Sequence, residues 1–121
     1  MFNYTKERNG FIYNFTINDG VNYSILFKPE SSNTTEISLE RKSEVIVENS
    51  KSVYDIMETT CIITNDYLLS YPKVDTLILN VIGEDSKEID QKIKMYIKYA
   101  KTLNGNWSCE QSENAIILKR Y

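Results

Sequence analysis

The chain has 121 residues, a formal net charge of -3, two cysteines, no histidine and 41% hydrophobic residues. That length suits one domain with a core of its own. The missing histidine excludes Ser-His-Asp and Cys-His catalysis and the zincin-type motifs, and two cysteines cannot supply the four thiolates of an all-cysteine zinc site.

Residues 1–10 are polar and read as an N-terminal arm, either loose or paired as a short edge strand. Phe11, Tyr13, Phe15 and Ile17 then alternate with mostly polar neighbours, and Val21, Tyr23, Ile25 and Phe27 repeat the pattern after Asn18-Asp19-Gly20. This is the signature of a hairpin. A two-residue loop would set Phe15 opposite Ser24. A three-residue loop sets Ile17 opposite Val21, Phe15 opposite Tyr23, Tyr13 opposite Ile25 and Phe11 opposite Phe27, with every pair apolar. The longer loop is therefore expected, a type I turn closed by Gly20 in the left-handed region.

Pro29 to Thr35 is polar and reads as a loop. Beyond it, Ile37, Leu39, Val45 and Val47 share one parity, while Glu36, Glu40, Glu44 and Glu48 share the other. The glutamate spacing also suits a helix, but Val45-Ile46-Val47 decides for extended structure. The segment is one bent strand, or two strands turning at Arg41-Lys42-Ser43, with an apolar and an acidic face. Asn49 to Ser52 offers helix caps, with Ser52 and Asp55 resembling a capping box. The apolar stripe from Val53 through Ile56, Thr60, Ile63 and Tyr67 predicts a helix that stops at Tyr71-Pro72. Val74 to Ile82 is apolar on both faces, as a central strand would be, and Gly83 breaks it. Asp85 or Ser86 caps a second helix, whose stripe of Ile89, Ile93, Tyr96, Ile97, Ala100 and Leu103 ends at Asn104-Gly105. Trp107–Glu110 and Ala115–Leu118 are a hairpin or two pieces of a final strand. The expected fold is a single α+β domain over residues 11–121. It has a largely antiparallel sheet of about five to six strands, in the order β-β-β-(β)-α-β-α-β, with two helices packed on one face.

The net charge conceals two poles. Residues 30–48 carry five glutamates against Arg41 and Lys42, a local charge of -3. Glu36, Glu40, Glu44 and Glu48 form a comb that would dock a basic protein partner and speed its association by electrostatic steering; its alternative role is edge protection and solubility. Residues 86–103 carry five lysines against Glu88 and Asp90, a local charge of +3. There Lys87, Lys94, Lys98 and Lys101 share a helix face with Tyr99 nearby, the makings of a phosphate-binding stripe. A pI of about 5.0 and only three arginines weigh against nucleic acid as the partner.

Cys61 and Cys109 read as packing residues, since a nucleophilic thiol needs a cationic or basic neighbour to lower its pKa. No paired carboxylates stand out, and no metal or cofactor is expected. No apolar run approaches the length of about 18 residues that a membrane helix needs, and the start lacks a basic region followed by an apolar stretch. The expectation is a cytoplasmic chain with reduced thiols, the alternative being a single disulfide in an exported one.

The aromatic hairpin, the helix ending near a proline, the apolar strand and a helix with a Lys-x-x-x-Tyr pattern (Lys92-Ile93-Lys94-Met95-Tyr96) together resemble small bacterial and phage α+β domains. The resemblance spans roughly residues 11–118 and carries no activity with it. It implies an accessory role in defence, counter-defence or toxin neutralisation. The expected function is a non-enzymatic module that masks a protein partner stoichiometrically, as immunity proteins, antitoxins and phage inhibitors do. One alternative is a nucleic-acid or nucleotide binder using Lys94, Lys98, Lys101 and Tyr99; another is a small enzyme with carboxylate or cysteine chemistry.

Overall fold

Alternating apolar residues build the first part of the sheet. In a computed structural model of the chain, which describes residues 3–16, 20–41, 50–80, 86–112 and 115–121, β2 (Ile12–Thr16) pairs antiparallel with β3 (Asn22–Pro29). Tyr13 lies opposite Ile25 and Phe15 opposite Tyr23, the register of a three-residue loop. Phe27 donates its backbone N–H to the carbonyl of Phe11 at 2.8 Å, which extends that register. Gly20 has φ of +81°, as closing the turn requires. Ile17, Asn18 and Asp19 lie outside the described residues.

The polar arm contributes β1 (Tyr4–Lys6), an edge strand set against β2. Its three residues show no run of apolar alternation; backbone pairing with β2 and the packing of Tyr4 on the Tyr13 ring hold them in the sheet. β4 (Thr34–Arg41) begins two residues earlier than the glutamate comb suggests, because Pro29 and Thr35 already pair across β3 and β4. Whether the chain bends or turns at Arg41-Lys42-Ser43 concerns residues outside the described set, as do Val45, Val47, Glu44 and Glu48.

Helix α1 (Ser50–Ser70) takes the chain from the end of β4 back to the start of β5 (Thr76–Asn80). The return crossing leaves β4 and β5 parallel, the one parallel pair among the described strands. Because α1 starts at Ser50, Ser52 falls inside its first turn and is not the capping residue. Pro72 ends the helix as expected. Helix α2 (Ser86–Ala100) then leads to β6 (Trp107–Ser112), and β7 (Ala115–Arg120) turns back to lie between β6 and β5. The chain end is thus a hairpin. Helix α2 stops short of Asn104-Gly105. Leu103 donates its N–H to the Ala100 carbonyl in a closing turn, and Gly105 follows with φ of +99°.

Among the described residues the sheet therefore has seven strands in the order β1-β2-β3-β4-β5-β7-β6, where five to six were expected. The difference lies in β1 and β6, polar edge strands without a strong alternating pattern. Both helices lie on one face. Tyr13, Tyr23, Ile25, Phe27, Leu77, Ile116 and Leu118 from the sheet share one buried cluster with Ile56, Ile63 and Tyr67 of α1 and Ile93 and Ala100 of α2. Burying this set is the main source of stability, at roughly 25 cal/mol per Å² of apolar surface.

Candidate functional site

A two-layer arrangement with both helices on one side leaves the other side of the sheet without a helix among the described residues. Strand parity assigns its side chains, since each core residue alternates with one on the opposite face. Along β4, Ile37 is buried in the core, so Glu36, Ser38 and Glu40 point to the helix-free face. β4 is the fourth of seven strands, and these three side chains form a polar ridge down the middle of that face.

Apolar pairs flank the ridge. On one side Ile12 of β2 lies opposite Leu26 of β3, and on the other Ile78 of β5 lies opposite Ile117 of β7. All four are half-buried, with the rest of their surface open. The position of β5 inside the sheet is as expected, but its second apolar face is not covered by a helix. Ile78 belongs to the open side.

Charge on this face is predominantly acidic. Glu36 stands between Lys28 of β3 and Ile78 of β5, and its Oε1 accepts a hydrogen bond from Asn80 Nδ2 at 2.6 Å. Glu40 is exposed opposite Ser24, whose hydroxyl donates to Asn14 Oδ1 at 2.6 Å; Asn14 Nδ2 in turn donates to Glu7 Oε2 at 3.0 Å. Near the far edge, Glu110 of β6 and Lys119 of β7 pair at 3.6 Å, with both side chains more than half exposed. Among the described residues of this face, Glu7, Glu36, Glu40 and Glu110 thus outnumber Lys28 and Lys119. Of the four comb glutamates, two are placed together on this ridge; Glu44 and Glu48 lie outside the described residues.

The lysine pole is on the opposite layer. Lys87, Lys94 and Lys98 are exposed on α2, and Lys101 is exposed in the turn that follows. Tyr99 belongs to α2, but its side chain lies outside the described residues. Lys101 is close to β6, where its charge lowers the Cys109 thiol pKa against the larger upward push of burial. Burial likewise raises the Cys61 thiol, partly offset by a hydrogen bond with Thr102. Both thiols are thereby biased to the neutral form, which disfavours nucleophilic chemistry at either.

A third cluster was not singled out from the sequence. Tyr13, fully buried, donates its hydroxyl to Asp66 Oδ2 at 3.0 Å, and Tyr4 packs against its ring with centroids 5.9 Å apart. Phe27 stacks on Tyr67 at 4.1 Å, Tyr67 meets Tyr71 at 4.6 Å, and Phe11 stacks on Tyr71 at 5.6 Å. The cluster locks the hairpin to the second half of α1. Aromatic residues were visible in both segments, but Asp66 gave no signal, because one carboxylate on a helix surface looks like any other.

Between the helices and the sheet lies a cavity of about 20 Å³, lined mainly by apolar side chains including Met57, Leu77, Tyr96 and Leu103, with Cys61 and Thr64 at its wall. That is room for about one water molecule. Among the described residues, no group of three His, Cys, Asp or Glu side chains is placed to hold a metal ion. No described helix is long and apolar enough to cross a membrane. The chain matches no protein-family model, and no curated protein is similar to it in sequence.

Proposed function

We propose that the protein is a binding module whose helix-free sheet face masks a basic surface on a partner protein. The observation that carries this reading is the acidic ridge of Glu36 and Glu40 between two apolar pairs, Ile12–Leu26 and Ile78–Ile117. Apolar side chains supply area to desolvate, while the carboxylates select a partner of opposite charge and steer its approach. A paired sheet presents both without a backbone ordering cost, because backbone hydrogen bonds already fix their spacing.

The test is affinity capture from the native host with the tagged protein, followed by titration of the purified partner. The E36K/E40K variant should bind at least tenfold more weakly, with the deficit shrinking at high salt. Unchanged affinity for E36K/E40K would remove the ridge from the interface.

A further inference from the structure

The second charged pole lies on a different side of the molecule and is tied to the end of the sheet. Lys94 and Lys98 of α2 are spaced i, i+4, a step of about 6 Å along the helix axis, and Lys101 follows in the closing turn. Ile93, Ala100 and Leu103 anchor the opposite side in the core, so the stripe is fixed outward. Asp90, one turn before Lys94, marks its acidic end.

Lys101 opens the short connection that leads from α2 into β6, an edge strand of the sheet. Trp107 lies two residues before Cys109 on the same face of β6 and is half-buried. The guanidinium carbon of Arg120 lies 5.4 Å from the centre of its ring. Neither group needs ordering. Arg120 donates to the carbonyls of Pro72 at 2.7 Å and Val74 at 2.6 Å, and Trp107 Nε1 donates to the carbonyl of Asn104 at 2.9 Å.

We propose that this flank, Lys94, Lys98 and Lys101 with the Trp107–Arg120 pair, binds single-stranded nucleic acid. The lysines take successive phosphates, and the pair offers a planar surface to an unstacked base. Charge complementarity selects a polyanion, and the aromatic–guanidinium platform selects one with exposed rings, which a duplex does not present. Lysines act as point charges and read no base edges, so the site is indifferent to sequence. It is separate from the sheet face, and either can fail without the other.

Trp107 is the chain's one tryptophan, so its fluorescence reports directly on this flank. The probes are labelled 20-nucleotide oligo-dT and oligo-U, titrated at 20 and 200 mM salt. Binding should quench Trp107 and weaken by about 100-fold between the two salts, as expected for roughly three phosphate contacts. K94E/K98E/K101E should abolish binding. W107L, checked for native circular dichroism, should weaken it by about tenfold. Absence of binding at 20 mM salt overturns the proposal, and so does binding that survives the triple substitution or leaves Trp107 unquenched. Equal binding to heparin or to vesicles containing phosphatidylserine would assign the stripe to polyanions or membranes in general and overturn the nucleic-acid assignment.

Discussion

Tyr13 links the chemistry of one residue to the stability of the whole. Its buried hydroxyl is held to Asp66, and burial first, then that hydrogen bond and the charge of Asp66, push its pKa well above the usual 10.0. Burial also raises Tyr67 and Tyr96. A raised folded-state pKa favours the neutral form in the fold, so the associated stability is complete below the unfolded value. It is lost as pH climbs from about 10 towards the folded values. Thermal denaturation should therefore show a stability plateau through neutral pH that falls steeply above about pH 10. Tyr13→Phe should cost about 1–2 kcal/mol at neutral pH and make the alkaline fall shallower. An alkaline fall of equal steepness in that variant would show that Tyr13 does not drive it. Gly20→Ala is a simpler case. Nothing lies within 4 Å of the added Cβ, so only the φ of +81° resists it, at a cost of about 1 kcal/mol.

At the scale of elements, one hydrogen bond tests how α1 is seated on β4. Thr35 Oγ1 and Tyr67 Oη are 3.1 Å apart with both side chains buried, so each hydroxyl depends on the other. Thr35→Val should destabilise by about 1–3 kcal/mol by orphaning the tyrosine hydroxyl, and adding Tyr67→Phe should recover part of that loss. Additive effects in a denaturant double-mutant cycle would refute the pairing. By contrast, Thr60 donates to the carbonyl of Ile56, a group already serving the helix. Thr60→Val should therefore change stability little, within about 0.5 kcal/mol.

The elements also show what alternation can and cannot reveal. The β2–β3 register was legible because one loop length alone matches apolar with apolar. The helix α1 was legible from its stripe and Pro72. Strands β1 and β6 were legible only as alternatives, an edge strand within a polar arm and one half of a hairpin, since backbone pairing at a sheet edge leaves little mark on side-chain type. The stripe through Leu103 overran α2, because a closing turn buries Leu103 as well as another helical turn would. Of the candidate sites, parity put Glu36 and Glu40 on one face, but it did not say that this face lacks helices. Val74 to Ile82, apolar on both faces, reads as a strand buried on both sides for the same reason, and alternation gives no signal that Ile12, Leu26 and Ile117 share the face of Ile78.

At the scale of the molecule, the two charge poles fall on different layers: glutamates on the open sheet and lysines on α2. Lys28 opposes its acidic neighbours on the sheet, standing directly across from Glu36. If the face recognises a basic partner, Lys28→Glu should tighten binding two- to fivefold while E36K/E40K weakens it, a pair of opposite effects that loss of folding cannot mimic. The most direct test of the docking face is methyl NMR of the isotopically labelled protein with the captured partner. Ile12, Leu26, Ile78 and Ile117 should shift or broaden while the core methyls of Ile25, Ile63 and Ile116 hold still. Perturbation confined to the helical layer, with those four methyls unmoved, would contradict it.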